Sequence, residues 1–451
     1  MSEAIGKPVD TRRTFTRSLA LTERLHRAIP GGAHTYAKGD DQYPADALPV
    51  LERGLGCRVW DADGNEFIEY GMGLRSVGLG HAYAPVIEAA AQRLPLGSNF
   101  GRPAVIELEA AEALLQMVGG DMVKFAKNGS DAVNAAVRLA RAYTGRNRVA
   151  ICAEHPFFST ADWFIGTTPM DAGIPEAIAR LTLKFHYNDL ASLESLFNGA
   201  GGDDIAAVVL EAETITKPEP GFLASLAALC RARGAVLILD ESITGFRWHN
   251  GGARAFYEMD PDLVVYGKAL GNGFAISALA GRRDIMELGG LRDKRPRVFL
   301  LSTTHGAEPH SLAAACAVIR TYREQPVVET LWRQGERLAT GVRQVVTAAG
   351  LDGYFEVVGR PCNLVYLARD AERRPSQAFR TLFLREALMR GLLLPSLVVS
   401  YAHDDAAIDS TIERIGDALR VYRQAVDGGV ERFLAGRPVQ PVMRRYSNTS
   451  I

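Results

Sequence analysis

Lysine is scarce in this chain, eight of 51 basic residues. One of the eight, Lys268, stands in Asp262-Leu-Val-Val-Tyr-Gly-Lys268-Ala-Leu-Gly271-Asn-Gly273, just past an apolar run. Such a lysine is either a solvated loop residue or an amine desolvated enough to attack an aldehyde. Asp240 follows the apolar run Ala235–Leu239, and a carboxylate at the C-terminal end of a buried parallel strand faces a ligand crevice. By itself it reads equally as a helix cap or an ion-pair partner. Beside an imine-forming lysine it would keep a pyridine nitrogen protonated, so that the ring accepts electrons. Lys127-Asn128-Gly129-Ser130-Asp131 separates a short apolar run from a helical pattern. Backbone N–H groups and the helix dipole receive phosphate at such a turn, although ordinary capping by Ser130 fits as well. An aldehyde-trapping lysine, an acid for a ring nitrogen and a phosphate cradle together describe a site for pyridoxal 5′-phosphate.

Other chemistries find little support. There is no G-x-x-x-x-G-K-[ST], no H-E-x-x-H and no G-x-S-x-G. Gly71-Met72-Gly73-Leu74-Arg75-Ser76 lacks the third glycine of a dinucleotide fingerprint. The nine histidines are scattered, so no metal is expected. A chain of 451 residues with 47% apolar and 23% charged side chains buries a large core. Net charge −1 leaves no basic footprint for nucleic acid or anionic membrane. The five cysteines are odd in number and widely spaced without C-x-x-C, which fits a reducing, cytoplasmic setting. The N-terminus has no apolar signal core, and no apolar run reaches membrane-spanning length.

The elements that must position these residues alternate. Helical patterns at Ile106–Met117, Asp131–Tyr143 and Leu223–Arg233 interleave with strands at Met122–Ala126, Val149–Cys152, Ile205–Leu210, Ala235–Leu239 and Leu263–Tyr266. Alternation with strands apolar throughout predicts a mostly parallel sheet buried between helices. An N-terminal arm with a hairpin about Asp61-Ala62-Asp63-Gly64 precedes it, at residues 1–75. The large domain is expected over 76–312. A smaller α+β domain follows over 313–426, with helices at Leu312–Gln325, Val328–Ala349, Gln377–Gly391 and Ala406–Val426 and strand-like stretches at Val357–Leu367 and Leu392–Ser400. Residues 427–451 read as a flexible or surface-hugging tail.

Over roughly residues 20–425 the chain resembles class III pyridoxal-phosphate aminotransferases, most nearly the glutamate-1-semialdehyde aminomutase-like branch. The likeness rests on PGG at 30–32, WDADGNEFIEY at 60–70, GLGHAY at 78–83 and KNGSDAVNAAVRLARAYTGR at 127–146. It continues in YND at 187–189, LDESITGFR at 239–247, PDLVVYGKALGNGFAISALAGRRDIM at 261–286 and SYAHDDAAIDSTIERI at 400–415. The resemblance implies the type I fold of pyridoxal-phosphate transferases and a homodimer with active sites at its interface. It implies that Lys268 tethers the cofactor and shuttles the proton, and that Asp240 pairs with the ring nitrogen. By the same likeness Asn128, Gly129 and Ser130 bind the phosphate, and Thr304 reaches it from the neighbouring subunit. Glu211 would lie near the cofactor hydroxyl, and Phe157 would stack on the ring.

The chain departs from that pattern in places that bear on substrate. Phe157-Phe158-Ser159 replaces Y-H-G, losing a phenol and an imidazole. Leu74 stands for a tryptophan and is followed by Arg75, which reads as a structural ion pair or as a fork for a substrate carboxylate. Arg102 is a second candidate for that fork. Ala307-Glu308-Pro309 replaces G-N-P, which would turn Glu308 toward the pocket. The segment after Pro395-Ser396 is short and has no acid. The expected activity is an aminotransferase moving an amino group from a donor, L-glutamate first, to a keto or aldehyde acceptor such as a sugar or secondary-metabolite precursor. An intramolecular aminomutase or an epimerase would use the same motifs. A cofactor-binding scaffold without turnover would have lost Lys268, Asp240 or the phosphate turn, and all three are present.

Overall fold

The computed structural model describes residues 13–446. Residues 1–12 of the expected arm and 447–451 of the expected tail lie outside the described residues. The chain divides into two compact units, Met1–Gly71 with Arg333–Val442 and Met72–Trp332 with Met443–Ile451. The break expected at 312 falls inside a helix, Pro309–Glu324, which packs within the second unit on helices Ala84–Arg93 and Val105–Val118.

The second, larger unit is built on a seven-stranded sheet. Its spatial order is Met122–Ala126, Ser277–Gly281, Leu263–Tyr266, Val236–Asp240, Ile205–Leu210, Arg148–Cys152 and Thr182–Phe185. Only Ser277–Gly281 runs antiparallel to its neighbours. The central strands Ile205–Leu210 and Val236–Asp240 are buried at every position. This is a mostly parallel sheet between helices, as the alternation predicts. Thr182–Phe185 and Ser277–Gly281 escape a pattern reading for physical reasons. The first is a short edge strand with a lysine, and the second is made of Ser, Ala, Leu and Gly, which favour no strand.

Helix Gly129–Thr144 crosses one face of the sheet. Its Ala132, Val133, Ala136, Leu139 and Ala140 are fully buried against Val209, Ile238, Val265 and Leu279. These positions recur at helical spacing, and the small side chains let the backbone approach the sheet closely. The helix starts at Asn128, whose side chain accepts the Asp131 N–H at 3.0 Å, and stops at Gly145 in the left-handed region.

The first unit holds a four-stranded sheet in the order Leu51–Leu55, Arg58–Asp61, Glu66–Glu69, Leu392–Leu393. The Asp61 carboxylate accepts the Asp63 and Asn65 N–H groups at 3.1 and 2.8 Å, which closes the turn of the expected hairpin. The expected strand Leu392–Ser400 shrinks to Leu392–Leu393, paired parallel with Ile68 and Glu69, because Pro395 has no N–H to continue the ladder. The tail is anchored where it is described. The Val439 N–H donates to Thr381 Oγ1 at 2.8 Å, and Gln440 N–H to the Asp41 carbonyl at 3.0 Å.

Candidate functional site

Three adjacent parallel strands deliver the central residues. Glu211 follows Ile205–Leu210, Asp240 is the last residue of Val236–Asp240, and Lys268 lies two residues beyond Leu263–Tyr266. All three emerge at the C-terminal edge of the sheet, where strand ends leave a crevice. Lys268 takes a left-handed φ of 43°, which turns the chain sharply there.

The electrostatics are those of a dry site. Burial pulls the Lys268 ammonium below its ordinary range, against the opposing charges of Asp240 and Glu211. Burial pushes the Asp240 carboxyl up, opposed by Lys268 and by its contacts with Ser242, whose N–H it accepts at 2.8 Å. Burial and the Asp240 charge raise Glu211 to about 8. Asp240 and Glu211 are 5% and 4% exposed, while Lys268 keeps accessible surface in the same desolvated place. An amine deep in the protein yet reachable is no solvated loop lysine, and its lowered basicity is what a nucleophile or base requires.

Behind Glu211 stands a residue that the motifs did not mark. His155 is 3% exposed, and its Nδ1 accepts the Glu211 N–H at 3.1 Å. Burial lowers it to about 4, so it is neutral. Its ring packs on Tyr187 and Phe158 at 5.2 and 5.9 Å. The only sequence signal was a histidine between two runs of strand-like residues, which a buried histidine shares with many others.

The turn Asn128-Gly129-Ser130 abuts this group. A Cβ at Gly129 would lie 2.9 Å from Ser242 Oγ, so a larger residue there would have to displace that hydroxyl. Ser277 Oγ donates to the Asn128 carbonyl at 2.6 Å, and Ser130 Oγ accepts the Thr160 N–H at 3.2 Å. Phe157 is 42% exposed and meets the edge of Phe164, whereas Phe158 is in the core. Arg75 is half-buried, and its turn packs against Lys268–Gly271.

The remaining candidates lie elsewhere. Arg102 and Thr304 line a separate open cleft of about 430 Å³ with Asn99 and Lys124, and Lys268, Asp240 and Glu211 are not among its walls. Asn99 Nδ2 donates to the Thr304 carbonyl at 3.1 Å. Glu308 is 22% exposed. Its carboxylate pairs with Lys127, with His305 at 3.3 Å and with His310 at 3.6 Å.

The donor set fits pyridoxal phosphate. It offers a desolvated amine, a buried carboxylate one strand away, and helix N–H groups at a turn where glycine packs closely on Ser242. Comparison with known proteins agrees. The model of the family "Aminotransferase class-III" matches residues 41–360. A curated glutamate-1-semialdehyde 2,1-aminomutase from Desulfitobacterium hafniense is 32% identical over 434 residues, 90% of this chain and 98% of that protein. The FumI protein of Sphingopyxis sp. MTA144, solved in its PLP internal aldimine form, superposes with a TM-score of 0.84 at 28% identity, covering 95% of this chain and 100% of that one. An omega-transaminase from Sphaerobacter thermophilus gives 0.79 at 26% identity, covering 90% and 97%.

Proposed function

Since the chain belongs to the class III aminotransferase family, we propose that it transfers an amino group from a donor amino acid, L-glutamate first, to a keto or aldehyde acceptor, with pyridoxal 5′-phosphate as cofactor. The observation that carries this reading is the pairing of Lys268 and Asp240 on adjacent strand ends, each desolvated and each acting on the other's charge.

When bound, the cofactor supplies an aldehyde for amines and a ring that takes up the charge left by a departing proton. The chain's own residues do the rest. Lys268 Nζ, its basicity reduced by burial, accepts a proton from the substrate carbon and returns it. Asp240 would hold a proton on the ring nitrogen. The N–H groups at Asn128, Gly129 and Ser130 receive the phosphate at the positive end of a 16-residue helix. Glu211, which burial and the Asp240 charge push up to about 8, would lie on the side of the ring hydroxyl, and His155 fixes its main chain. Phe157 would cover the ring. Exposed Thr304 is available to the site of a second subunit, which supports a homodimer with interface sites. The cysteines are free, in keeping with a cytoplasmic protein, and among the described residues no helix is long and apolar enough to cross a membrane.

The second reading, an intramolecular aminomutase, is favoured by the curated relatives' names at 32% identity. Against it, the stretch after Ser396 is Leu397, Val398 and Val399, all fully buried, with no acid to manage a retained intermediate. A visible spectrum decides. Protein loaded with pyridoxal phosphate should be yellow, and L-glutamate should bleach it as the amino group passes to the cofactor. Failure to take up the cofactor covalently would overturn the proposal. A band that persists with glutamate and bleaches with no other amino acid would put the aminomutase first.

A further inference from the structure

Phe157 stands 42% exposed between strand Arg148–Cys152 and helix Asp162–Ile165, yet residues close on either side of it are buried. His155 and Ser159, two places before and two after, are 3% and 0% exposed. Pro156 between them has its φ fixed by the ring. Both buried residues are anchors. His155 Nδ1 accepts the Glu211 N–H at 3.1 Å. Ser159 Oγ accepts the Ala161 N–H at 3.0 Å and donates to Asn134 Oδ1 at 2.6 Å. Trp163 Nε1 donates to the same oxygen at 2.8 Å. An indole nitrogen only donates, so the atom it meets is the amide oxygen, and the Asn134 side chain has one orientation.

Asn134 lies on helix Gly129–Thr144, four residues after Ser130, so the two share a face one turn apart. Ser130 Oγ accepts the Thr160 N–H at 3.2 Å. The segment from Ser159 to Trp163 is thus laid along the helix that opens with Asn128-Gly129-Ser130, and is gripped at two successive turns. Asparagine is a poor helix former in an interior position, and here it stands among Ala132, Val133, Ala135 and Ala136 of the core. The two donors it satisfies explain its place, since a buried hydroxyl or indole N–H without an acceptor is costly. The consequence falls on Phe157. Its ring meets Phe164 edge to face, with centroids 5.6 Å apart and planes at 81°, which occupies at most one of its faces. A phenylalanine held out of the core forgoes burial, and this one is held there by anchors on both sides.

We propose that Asn134 is a positioning residue: by holding Ser159 and Trp163 to the helix that opens with the turn proposed for the phosphate, it fixes the setting of the Phe157 ring over the cofactor ring. This rests on the aminotransferase reading above, in which Phe157 covers that ring.

The test follows the visible band of the holoenzyme. Pyridoxal phosphate is achiral, so its circular dichroism comes from the protein around it. Ellipticity per unit absorbance therefore reads the setting of the bound cofactor, whatever the occupancy or the stability of the fold. Asn134→Leu removes the acceptor of both donors. Ser159→Ala removes one donor, keeps the Trp163 bond, and serves alone if Asn134→Leu yields no folded protein. Both should lower the ratio, and both should speed release of the cofactor on dialysis about 2–10-fold, the weight of one aromatic pair. Asn134→Asp keeps an acceptor for both donors and should recover the wild-type values. Phe157→Ala should show the same losses, and combining it with Asn134→Leu or Ser159→Ala should lose no more, because residues that act through one another are not additive. A wild-type ratio or release rate in either folded variant overturns the proposal. So does a loss that adds in full to that of Phe157→Ala, or one that Asn134→Asp shares. A wild-type protein that forms no band overturns the aminotransferase reading itself and is told apart at the first step.

Discussion

Removing the carboxyl of Glu211 should make the cofactor-free protein more stable, by an amount that depends on pH. Glu211 is 4% exposed, and burial together with the Asp240 charge raises it to about 8 from an ordinary value of 4.5. The unfolded chain titrates near that ordinary value. Between the two, the folded state holds a proton that the unfolded state has released, so stability falls as pH rises. Holding it from pH 4.5 to pH 7 costs roughly 3 kcal/mol at ~1.4 kcal/mol per pH unit, and the loss levels off above pH 8 at roughly 5 kcal/mol. This is a large part of a protein's net stability. Glu211→Gln keeps the shape and removes the titration. Urea unfolding of wild type and variant should therefore give a stability difference that grows in favour of the variant by about 3 kcal/mol from pH 4.5 to pH 7. Titrating groups that do not interact with Glu211 cancel in that difference. A difference that stays constant across the range would refute the reasoning, because Glu211 would then ionise in the folded protein as it does in the unfolded chain.

Two further outcomes follow from named contacts. Asn272→Ala strands the buried Leu79 N–H and Gly80 carbonyl and leaves alanine at φ 43°. It should cost about 2–4 kcal/mol, and a thermal midpoint equal to wild type would contradict those contacts. Lys127→Met removes the ammonium that holds Glu308 below the usual carboxylate range, in a pair that is 23% and 22% exposed. A carboxylate whose folded pKa is depressed stabilises above its ordinary pKa and loses that contribution as pH falls. The variant should be about 1–2 kcal/mol less stable at pH 7 and converge on wild type in acid, and a deficit that widens on acidification would contradict the pairing.

Much of the site was legible because its chemistry is written in adjacent residues. Asp240 closes an apolar strand, Lys268 follows one, and Asn128-Gly129-Ser130 opens a helix, so each sits where a strand or helix end must place it. Arg75 was readable as a candidate fork, yet the backbone that carries it was not, because a left-handed turn of Met72, Leu74 and Arg75 runs against every local preference of those residues. The partner of Glu308 was not readable, because the fold brings Lys127 beside it from 181 positions away.

The amino-acid sequence by itself determined the alternation of buried strands and helices, the cofactor, and the lysine, aspartate and helix-opening turn proposed to hold it, since apolar periodicity and short motifs are local properties. Tertiary structure alone decided the antiparallel strand Ser277–Gly281, the burial of His155 behind Glu211, the separation of Arg102 and Thr304 from the catalytic strand ends, and the hydrogen bond from Arg247 to the Arg75 carbonyl. Each of these depends on contacts between residues far apart in the chain, whose energies exceed the local preferences they override.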